Sequence, residues 1–99
     1  MAKTFHPELS ELVPASSPHP DNTHYKVSIG LEQWGGENIP VVKVQMVYEG
    51  KVSGRKSPSY PLGTDDYARV HKAIEDLVHK RYQNIVAEQQ ATYYTTAND

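Results

Sequence analysis

A strict alternation of apolar and polar side chains over residues 25–31 constrains the fold of this chain most strongly. Tyrosine, valine, isoleucine and leucine occupy the odd positions, and lysine, serine and glycine occupy the even ones. A period of two places one set on each face of a β-strand, so one face of the sheet is predicted to be buried and the other wet. Two further segments continue the pattern, and we predict three antiparallel strands, at Tyr25–Leu31, Val41–Tyr48 and Lys51–Lys56.

The turn between the second and third predicted strands leaves two registers open. Glu49-Gly50 is a hairpin turn signal, because glycine adopts positive φ at little cost. A two-residue loop would pair Tyr48 with Lys51, and a three-residue loop would pair Tyr48 with Val52. We expect the three-residue loop, because it keeps Val52 on the core face.

Residues 64–88 are predicted to form one long helix. Thr64 is placed to cap its N-terminus, and the carboxylates of Asp65 and Asp66 favour the positive end of the helix dipole. Apolar side chains recur at the helical period in one arc, made by Tyr67, Val70, Ile74, Leu77, Val78 and Ile85. Arg81 falls inside the same arc, so either its stem lies along the apolar surface or the helix outruns the sheet there.

The tyrosines and the centre of this arc define the expected core. Ile74 and Leu77 are predicted to be buried, whereas Lys72 and Asp76 on the opposite side of the helix are predicted to be exposed. Tyrosine combines a large apolar ring with a polar tip. We expect the rings of Tyr67, Tyr48 and Tyr25 to join the core.

The two ends of the chain are polar. Residues 1–22 contain four of the seven prolines, which is typical of a flexible Pro/Ser-rich segment. Within it, residues 6–13 fit two turns of a short N-terminal helix that would need a surface to dock on. Residues 89–99 lose the helical period and are predicted to be a polar tail, and we expect residues 1–4 and 93–99 to be mobile. Residues 23–88 are then one α+β domain of order β-β-β-α, with the helix on one face of a small antiparallel sheet.

Composition excludes several classes of protein. The chain has 99 residues, a net charge of −2 and no cysteine. It is long enough for one domain, and it is neither a globally basic nucleic-acid binder nor a disulfide or thiolate-metal protein. The first residues lack the continuous apolar stretch of a secretory signal, and no apolar run could span a bilayer. We therefore expect a cytoplasmic protein with no membrane partner.

No motif in the sequence indicates catalysis or a cofactor. His71, Glu75 and His79 share one flank of the helix at spacings that could chelate a divalent cation, but a solvated face with a contact between Glu75 and His79 explains them as well. The pair Asp65-Asp66 is explained by the helix dipole rather than by acid–base chemistry. We predict no enzyme activity, no metal and no cofactor.

Positive charge and aromatic rings coincide on the predicted sheet. Residues 23–63 contain five basic and three acidic residues, whereas both flanking parts are net negative. Cations for phosphates and rings for bases are what single-stranded nucleic acids require, whereas lysines on an edge strand also protect against aggregation. The candidate binding residues are Trp34, Lys43, Tyr48, Lys51, Arg55 and Lys56.

The segment around this basic stretch resembles the positive-cofactor-four type of transcriptional coactivator. The resemblance covers residues 24–80 and rests on the run from Val42 to Tyr48, the tripeptide Gly54-Arg55-Lys56, and a Ser/Pro-containing crossover before an acid-capped helix. It implies a curved antiparallel sheet followed by one helix, dimerisation through the helices, and binding of single-stranded DNA by the sheet. This chain departs from the family in its short third strand, its longer crossover and its acidic net charge.

A second resemblance, to the double-stranded RNA-binding domain, rests on the spacing of Gly50 and Gly54. That family carries lysines at the start of its last helix. Asp65 and Asp66 stand there in this chain and would repel phosphates, so the first resemblance ranks higher.

Two functions of different kinds follow from the sequence. The first is a small single-stranded nucleic-acid-binding or transcription-associated protein that uses the wet sheet face. The alternative is a protein-interaction module or small regulator, of the kind that phages and mobile elements encode, which acts as a homodimer or covers a partner protein. Phosphate binding weakens steeply with salt and an apolar interface does not, so salt dependence separates the two.

Overall fold

A computed structural model of the protein describes the backbone of residues 5–97 and the side chains of residues 5–87. Its elements are β1 (Phe5–Pro14), β2 (Thr23–Trp34), β3 (Glu37–Tyr48), β4 (Lys51–Ser53) and α1 (Asp66–Ala97). The strands form one antiparallel sheet in the order in which they occur along the chain. The α+β class with one C-terminal helix is therefore confirmed, but the sheet within the described residues has four strands rather than three.

The extra strand, β1, replaces the short N-terminal helix. Leu9 and Val13 lie on the face that packs against α1, whereas Leu12 is exposed on the other face. A two-turn helix is marginal alone, whereas a strand gains a hydrogen-bonded ladder along β2. Pro7 is tolerated because β1 is an edge strand, and the pairing with β2 shifts register between Pro7 and Leu9. Much of the segment predicted to be flexible is thus part of the sheet.

The start of β1 also covers part of the sheet face that was predicted to be wet. Ser28 and Gly30 point away from the helix but are buried, and the Ser28 hydroxyl lies 2.9 Å from that of Ser10. A Cβ atom at Gly30 would collide with the backbone of His6 and Pro7. Only glycine lets the two strands approach this closely, so position 30 of β2 lacks a side chain because the start of β1 crosses it.

The β3–β4 hairpin has the shorter of the two registers considered. Tyr48 pairs with Lys51, and Val52 pairs with Val47 on the face opposite the helix. The prediction that Tyr48 pairs with Val52 is wrong. Glu49 and Gly50 both have positive φ, 50° and 81°, which is the conformation of a two-residue type I′ turn and matches the twist of the strands. The turn geometry therefore overrides the burial of Val52.

The core lies between α1 and the helix-facing side of β1, β2 and β3. It contains Val13, Tyr25, Val27, Ile29, Met46, Val70, Ala73 and Leu77, with Ile74 partly buried against it. The predicted burial of Leu77 and Tyr25 is confirmed, and Lys72 and Asp76 form an exposed ion pair of 2.9 Å. Tyr67, expected in the core, is 64% exposed. Its ring lies beside those of Tyr60 and His71 instead.

The helix is longer than its apolar period indicates. It runs to Ala97, so most of the predicted tail, including residues 93–97, is helical. The other residues expected to be mobile, 1–4 and 98–99, lie outside the described part of the chain. The described part of the helix contains no stretch that is both long enough and apolar enough to cross a membrane.

Truncation of Leu77 tests the packing of α1 on the sheet. Leu77 is 6% exposed, so Leu77→Ala is expected to lower the free energy of unfolding by about 2–5 kcal/mol through reduced burial and a residual cavity. Val78 is the next residue and is 44% exposed, so Val78→Ala is a matched control that should change the free energy of unfolding by less than about 1 kcal/mol. Urea denaturation followed by circular dichroism measures both, and equal losses would show that α1 packs differently.

Candidate nucleic-acid interface

An open cleft of about 420 Å³ lies at the end of the sheet where β3 turns into β4. The β1–β2 loop forms one wall and the crossover from β4 to α1 forms the other. Rings and prolines dominate its lining, which consists of Pro18, His19, Pro20, Tyr48, Lys56, Ser59, Tyr60 and Pro61. The cleft is therefore a largely apolar depression with one lysine ammonium group in its wall.

One cation lines the cleft and two more are neighbours of its lining residues, all without carboxylate partners among the described side chains. The Lys56 ammonium lies 5.6 Å from the centre of the Tyr48 ring, a cation–π distance. Lys51 is opposite Tyr48 on β4, and Arg55 directly precedes Lys56; both are exposed. Among residues 5–87, none of these three cations forms an ion pair. Their charge is therefore available to an anion that enters the cleft.

The carboxylate of Asp66 fixes the two walls of the cleft to the helix. Asp66 is completely buried at the start of α1. One carboxylate oxygen accepts hydrogen bonds from the Ser16 hydroxyl at 2.5 Å and from Arg69 Nη2 at 2.6 Å. The other accepts from the Ser16 N–H at 2.9 Å and from the Tyr25 hydroxyl at 2.8 Å. Four donors from the β1–β2 loop, β2 and α1 thus converge on one charge.

These hydrogen bonds set the protonation state of Asp66. Burial alone would raise the pKa of the carboxyl, but the hydrogen bonds from Ser16 and Tyr25 and the nearby Arg69 guanidinium outweigh it and lower the pKa to about 2. Burial and the bond to Asp66 raise the pKa of Tyr25 far above its usual range. Asp66 is therefore ionised and Tyr25 is a donor at neutral pH.

The same network extends to the crossover wall. The Tyr25 hydroxyl is 3.0 Å from the Ser59 carbonyl oxygen, so its proton is shared between that oxygen and Asp66. His19 Nε2 lies 2.8 Å from the same carbonyl and must be the protonated nitrogen, because a carbonyl only accepts. The Thr64 hydroxyl accepts from the Asp66 N–H at 3.3 Å. The first helical hydrogen bond runs from the Arg69 N–H to the Asp65 carbonyl, so Asp65 rather than Thr64 occupies the N-cap position. The cleft is therefore held open by polar contacts that reach the core.

The six candidate residues do not share one surface. Tyr48 and Lys56 line the cleft, and Lys51 and Arg55 adjoin them on β4 and in the chain. Trp34 and Lys43 lie towards the other end of the sheet. Trp34 pairs with Glu37 at the far end of β3, and at about 3.3 Å per residue it is roughly 35 Å along the strand from Tyr48. The common wet-face platform expected from the sequence is absent from the described residues.

Trp34 and Lys43 are engaged with Glu32 instead. The Trp34 indole N–H donates to Glu32 at 2.7 Å, and the Lys43 ammonium pairs with the same carboxylate while lying over the Phe5 ring. The hydrogen bonds from Lys43 and then Trp34 lower the pKa of Glu32. Lys43 is thus already neutralised, and this end of the sheet has little positive charge to offer a phosphate.

Two aromatic residues of the cleft, His19 and Tyr60, were not identified as candidate binding residues from the sequence. Both stand in proline-containing loops, where no periodicity predicts which way a side chain points. The only signal was composition, an aromatic ring flanked by prolines in Pro18-His19-Pro20 and in the crossover. Local sequence does not reveal that these two loops meet, because the contact depends on Asp66.

The candidate metal and acid residues have ordinary structural roles. His71 Nε2 lies 3.6 Å from Glu75, rather than the contact expected between Glu75 and His79. No cluster of three metal-ligating side chains occurs in the described part of the chain. Asp65 and Asp66 both bind Arg69, at 3.1 and 2.6 Å, so one of the two negative charges expected to repel phosphates from the helix start is compensated.

Comparisons with known proteins add no assignment. No protein family, curated protein or solved structure matches this chain.

Acid titration tests the role of the buried carboxylate. The Asp66 pKa is about 2 in the folded protein and about 3.9 in an unfolded chain. The stabilisation by the ionised form is therefore complete above about pH 4 and is lost as pH falls through about 2. Asp66→Asn should lower the free energy of unfolding at neutral pH by about 2 kcal/mol or more, because it leaves Arg69 without its buried partner.

Asp65 is the matched control for this experiment, because it binds the same arginine but is exposed. Asp65→Asn should change the free energy of unfolding by less than about 1 kcal/mol. Urea denaturation at a series of pH values measures both variants. If Asp66→Asn retained the acid-dependent loss seen in the unmodified protein, Asp66 would not be the group responsible.

Proposed function

We propose that this protein is a non-enzymatic binder of single-stranded nucleic acid, and that the strand lies in the cleft at the β3–β4 end of the sheet. The observation that carries the proposal is the juxtaposition of three unpaired cations, Lys51, Arg55 and Lys56, with the partly buried rings of Tyr48 and Tyr60. A single strand is a flexible polyanion with planar apolar bases. Grooves that bind it combine cations for the backbone with rings on which bases stack.

Other ligand classes fit this cleft less well. Aromatic pockets also bind quaternary ammonium groups, but three nearby positive charges would repel a cation. A free inorganic anion would leave the rings and prolines of the wall without a partner. A ligand that is both anionic and aromatic satisfies both sets of groups, which favours nucleotides joined by phosphates.

Three expectations from the sequence are not tested by the structure and remain part of this proposal. The resemblance to positive-cofactor-four coactivators, a role associated with transcription and a cytoplasmic location stay predictions. The structural support is local: Tyr48, Lys51, Arg55 and Lys56 carry the proposal, and Trp34 and Lys43 do not. Because the whole chain is net negative, binding should depend on this local cluster rather than on a general attraction to nucleic acid.

Neutralising two of the cations tests the proposal. Fluorescein-labelled oligothymidylate and oligouridylate are titrated with protein at low salt, and anisotropy reports binding. Arg55→Ala with Lys56→Ala should weaken binding of both probes and of other sequences alike, because interactions with the phosphate backbone carry no sequence information. The slope of log K against log salt should fall by about 0.7 for each phosphate that the variant no longer neutralises on a single strand.

The matched control removes the same charge elsewhere. Lys72 and Lys80 are exposed on α1, so Lys72→Ala with Lys80→Ala should leave both affinity and salt slope near those of the unmodified protein. Equal loss of affinity in the two double variants would mean that net charge, and not the cleft, governs binding. No binding of either probe at about 100 μM protein would contradict the proposal, since non-specific binders commonly reach 10⁻⁴–10⁻⁶ M.

A second candidate function, self-association, is favoured by an apolar groove between α1 and β3. The groove has a volume of about 290 Å³, and its lining consists of Ile29, Pro40, Val41, Val42, Val78, Arg81, Tyr82 and Ile85. Val78, Tyr82 and Ile85 follow one another at helical spacing and remain exposed. A second copy of the chain related by a two-fold axis would bring two such rows together and cover both grooves.

Solution mass tests the self-association directly. Light scattering on a sizing column should give twice the monomer mass of 11.1 kDa, unaffected by high salt. Tyr82→Glu should return the protein to the monomer, because it would place a charge in an apolar contact. Leu12→Glu changes an equally exposed apolar residue on the other sheet face and should not. A monomer in the unmodified protein would eliminate this candidate.

A further inference from the structure

We propose that the bound strand leaves the cleft over an aromatic row formed by Tyr60, Tyr67 and His71, which acts as a stacking platform on the first two turns of α1. This inference rests on the proposed function, and it adds a path and three contact residues that the basic hairpin does not supply. No motif in the sequence identifies the row, because its members are divided between the crossover and the helix.

The rings form a continuous series that starts inside the cleft. Tyr60 lines the cleft and packs on the buried Tyr25 ring with centroids 5.0 Å apart. Tyr67 follows Tyr60 at 5.7 Å with its ring nearly perpendicular, and His71 follows Tyr67 at 6.1 Å with its ring nearly parallel. Each ring therefore lies beside the next from the core to the surface.

Tyr67 lies outside the hydrophobic core. It is 64% exposed, and its neighbours in the row are the rings of Tyr60 and His71 rather than core side chains. Tyr60, the first residue of the row, packs on the buried Tyr25 ring, and the Tyr25 hydroxyl donates to Asp66. An exposed ring that lies between two other rings offers apolar surface of defined orientation, which suits a stacking contact.

The charges around the row permit an anionic strand to pass. Asp65 and the buried Asp66 share the single guanidinium of Arg69, so one negative charge remains at the helix start and faces the positive end of the helix dipole. Glu75 lies 3.6 Å from His71 Nε2 and marks the far end of the platform. Lys56 is at the cleft end. The backbone would therefore follow the cationic hairpin side while the bases turn towards the rings.

The experiment compares short and long strands on three single variants. Anisotropy is measured with labelled oligothymidylates of about four and about eight nucleotides, within the usual range of single-strand site sizes. Tyr67→Ala should weaken the longer strand about fivefold or more and the shorter one little, since one stacked base is typically worth ~1–3 kcal/mol. Tyr67→Phe keeps the ring and should keep the affinity.

The matched control is Trp34→Ala. Trp34 is an exposed aromatic residue at the other end of the sheet, so its removal should leave both affinities unchanged. Circular dichroism melting of each variant checks that the fold is retained, which is expected because both side chains are exposed. A 2-aminopurine base near the end of the longer strand should lose fluorescence on binding to the unmodified protein and recover it with Tyr67→Ala.

The outcomes separate this inference from the proposed function. If both strands bind and Tyr67→Ala binds the longer one as the unmodified protein does, the cleft stands and the platform is wrong. If Trp34→Ala weakens binding instead, the strand crosses the open sheet face and the platform is likewise wrong. If neither strand binds the unmodified protein, the proposed function itself fails.

Discussion

The buried carboxylate of Asp66 determines how the rest of this structure fits together. Burying an unpaired charge costs far more than a small domain can offset, so its partners must be in place whenever the chain is folded. Those partners come from separate parts of the chain: Ser16 after β1, Tyr25 in β2 and Arg69 in α1. One residue therefore couples the edge strand, the centre of the sheet and the start of the helix.

The position of the cleft follows from this coupling. Arg69 also donates to the Pro14 carbonyl at 2.8 Å, which anchors the end of β1. Tyr25 holds the Ser59 carbonyl, and with it the crossover that carries Tyr60. The two loops that form the walls of the cleft thus contact the same buried group from opposite sides. The β3–β4 hairpin, with a tight two-residue turn, adds Tyr48, Lys51 and Lys56 to a rim that is already fixed.

Regular periodicity predicted the parts of the fold in which one face is simply buried. Tyr25, Val27 and Ile29 of β2, and Val70, Ile74 and Leu77 of α1, face the core as their spacing indicates. The other arc residues, Tyr67, Val78 and Ile85, are exposed. β1 was missed because Leu9, Leu12 and Val13 fit a helical arc as well as a strand, and only pairing with β2 decides between them. Register at Glu49-Gly50 was missed because turn twist outweighs the burial of one valine.

The candidate site was predictable to the extent that it is local in sequence. Tyr48, Lys51, Arg55 and Lys56 lie within nine residues of one hairpin, so they could not be far apart. Trp34 lies at the end of β2 and Lys43 within β3, both away from this hairpin along the sheet. The Glu32 carboxylate binds both side chains there. From its place in the sequence, Asp66 is expected to face solvent and to interact with the helix dipole. Nothing nearby in the sequence shows that the Ser16 N–H, the Ser16 hydroxyl and the Tyr25 hydroxyl surround its carboxylate.

Amide chemical-shift mapping tests the central claim, that the cleft held by Asp66 receives a single strand. An unlabelled oligothymidylate is titrated into ¹⁵N-labelled protein, and the shift of each backbone amide is followed. The account predicts the largest changes at His19, Tyr48, Lys56 and Tyr60, with little change at Trp34, Lys43 and Leu12. Changes centred on Trp34 and Lys43, or an unchanged spectrum at saturating oligonucleotide, would contradict it.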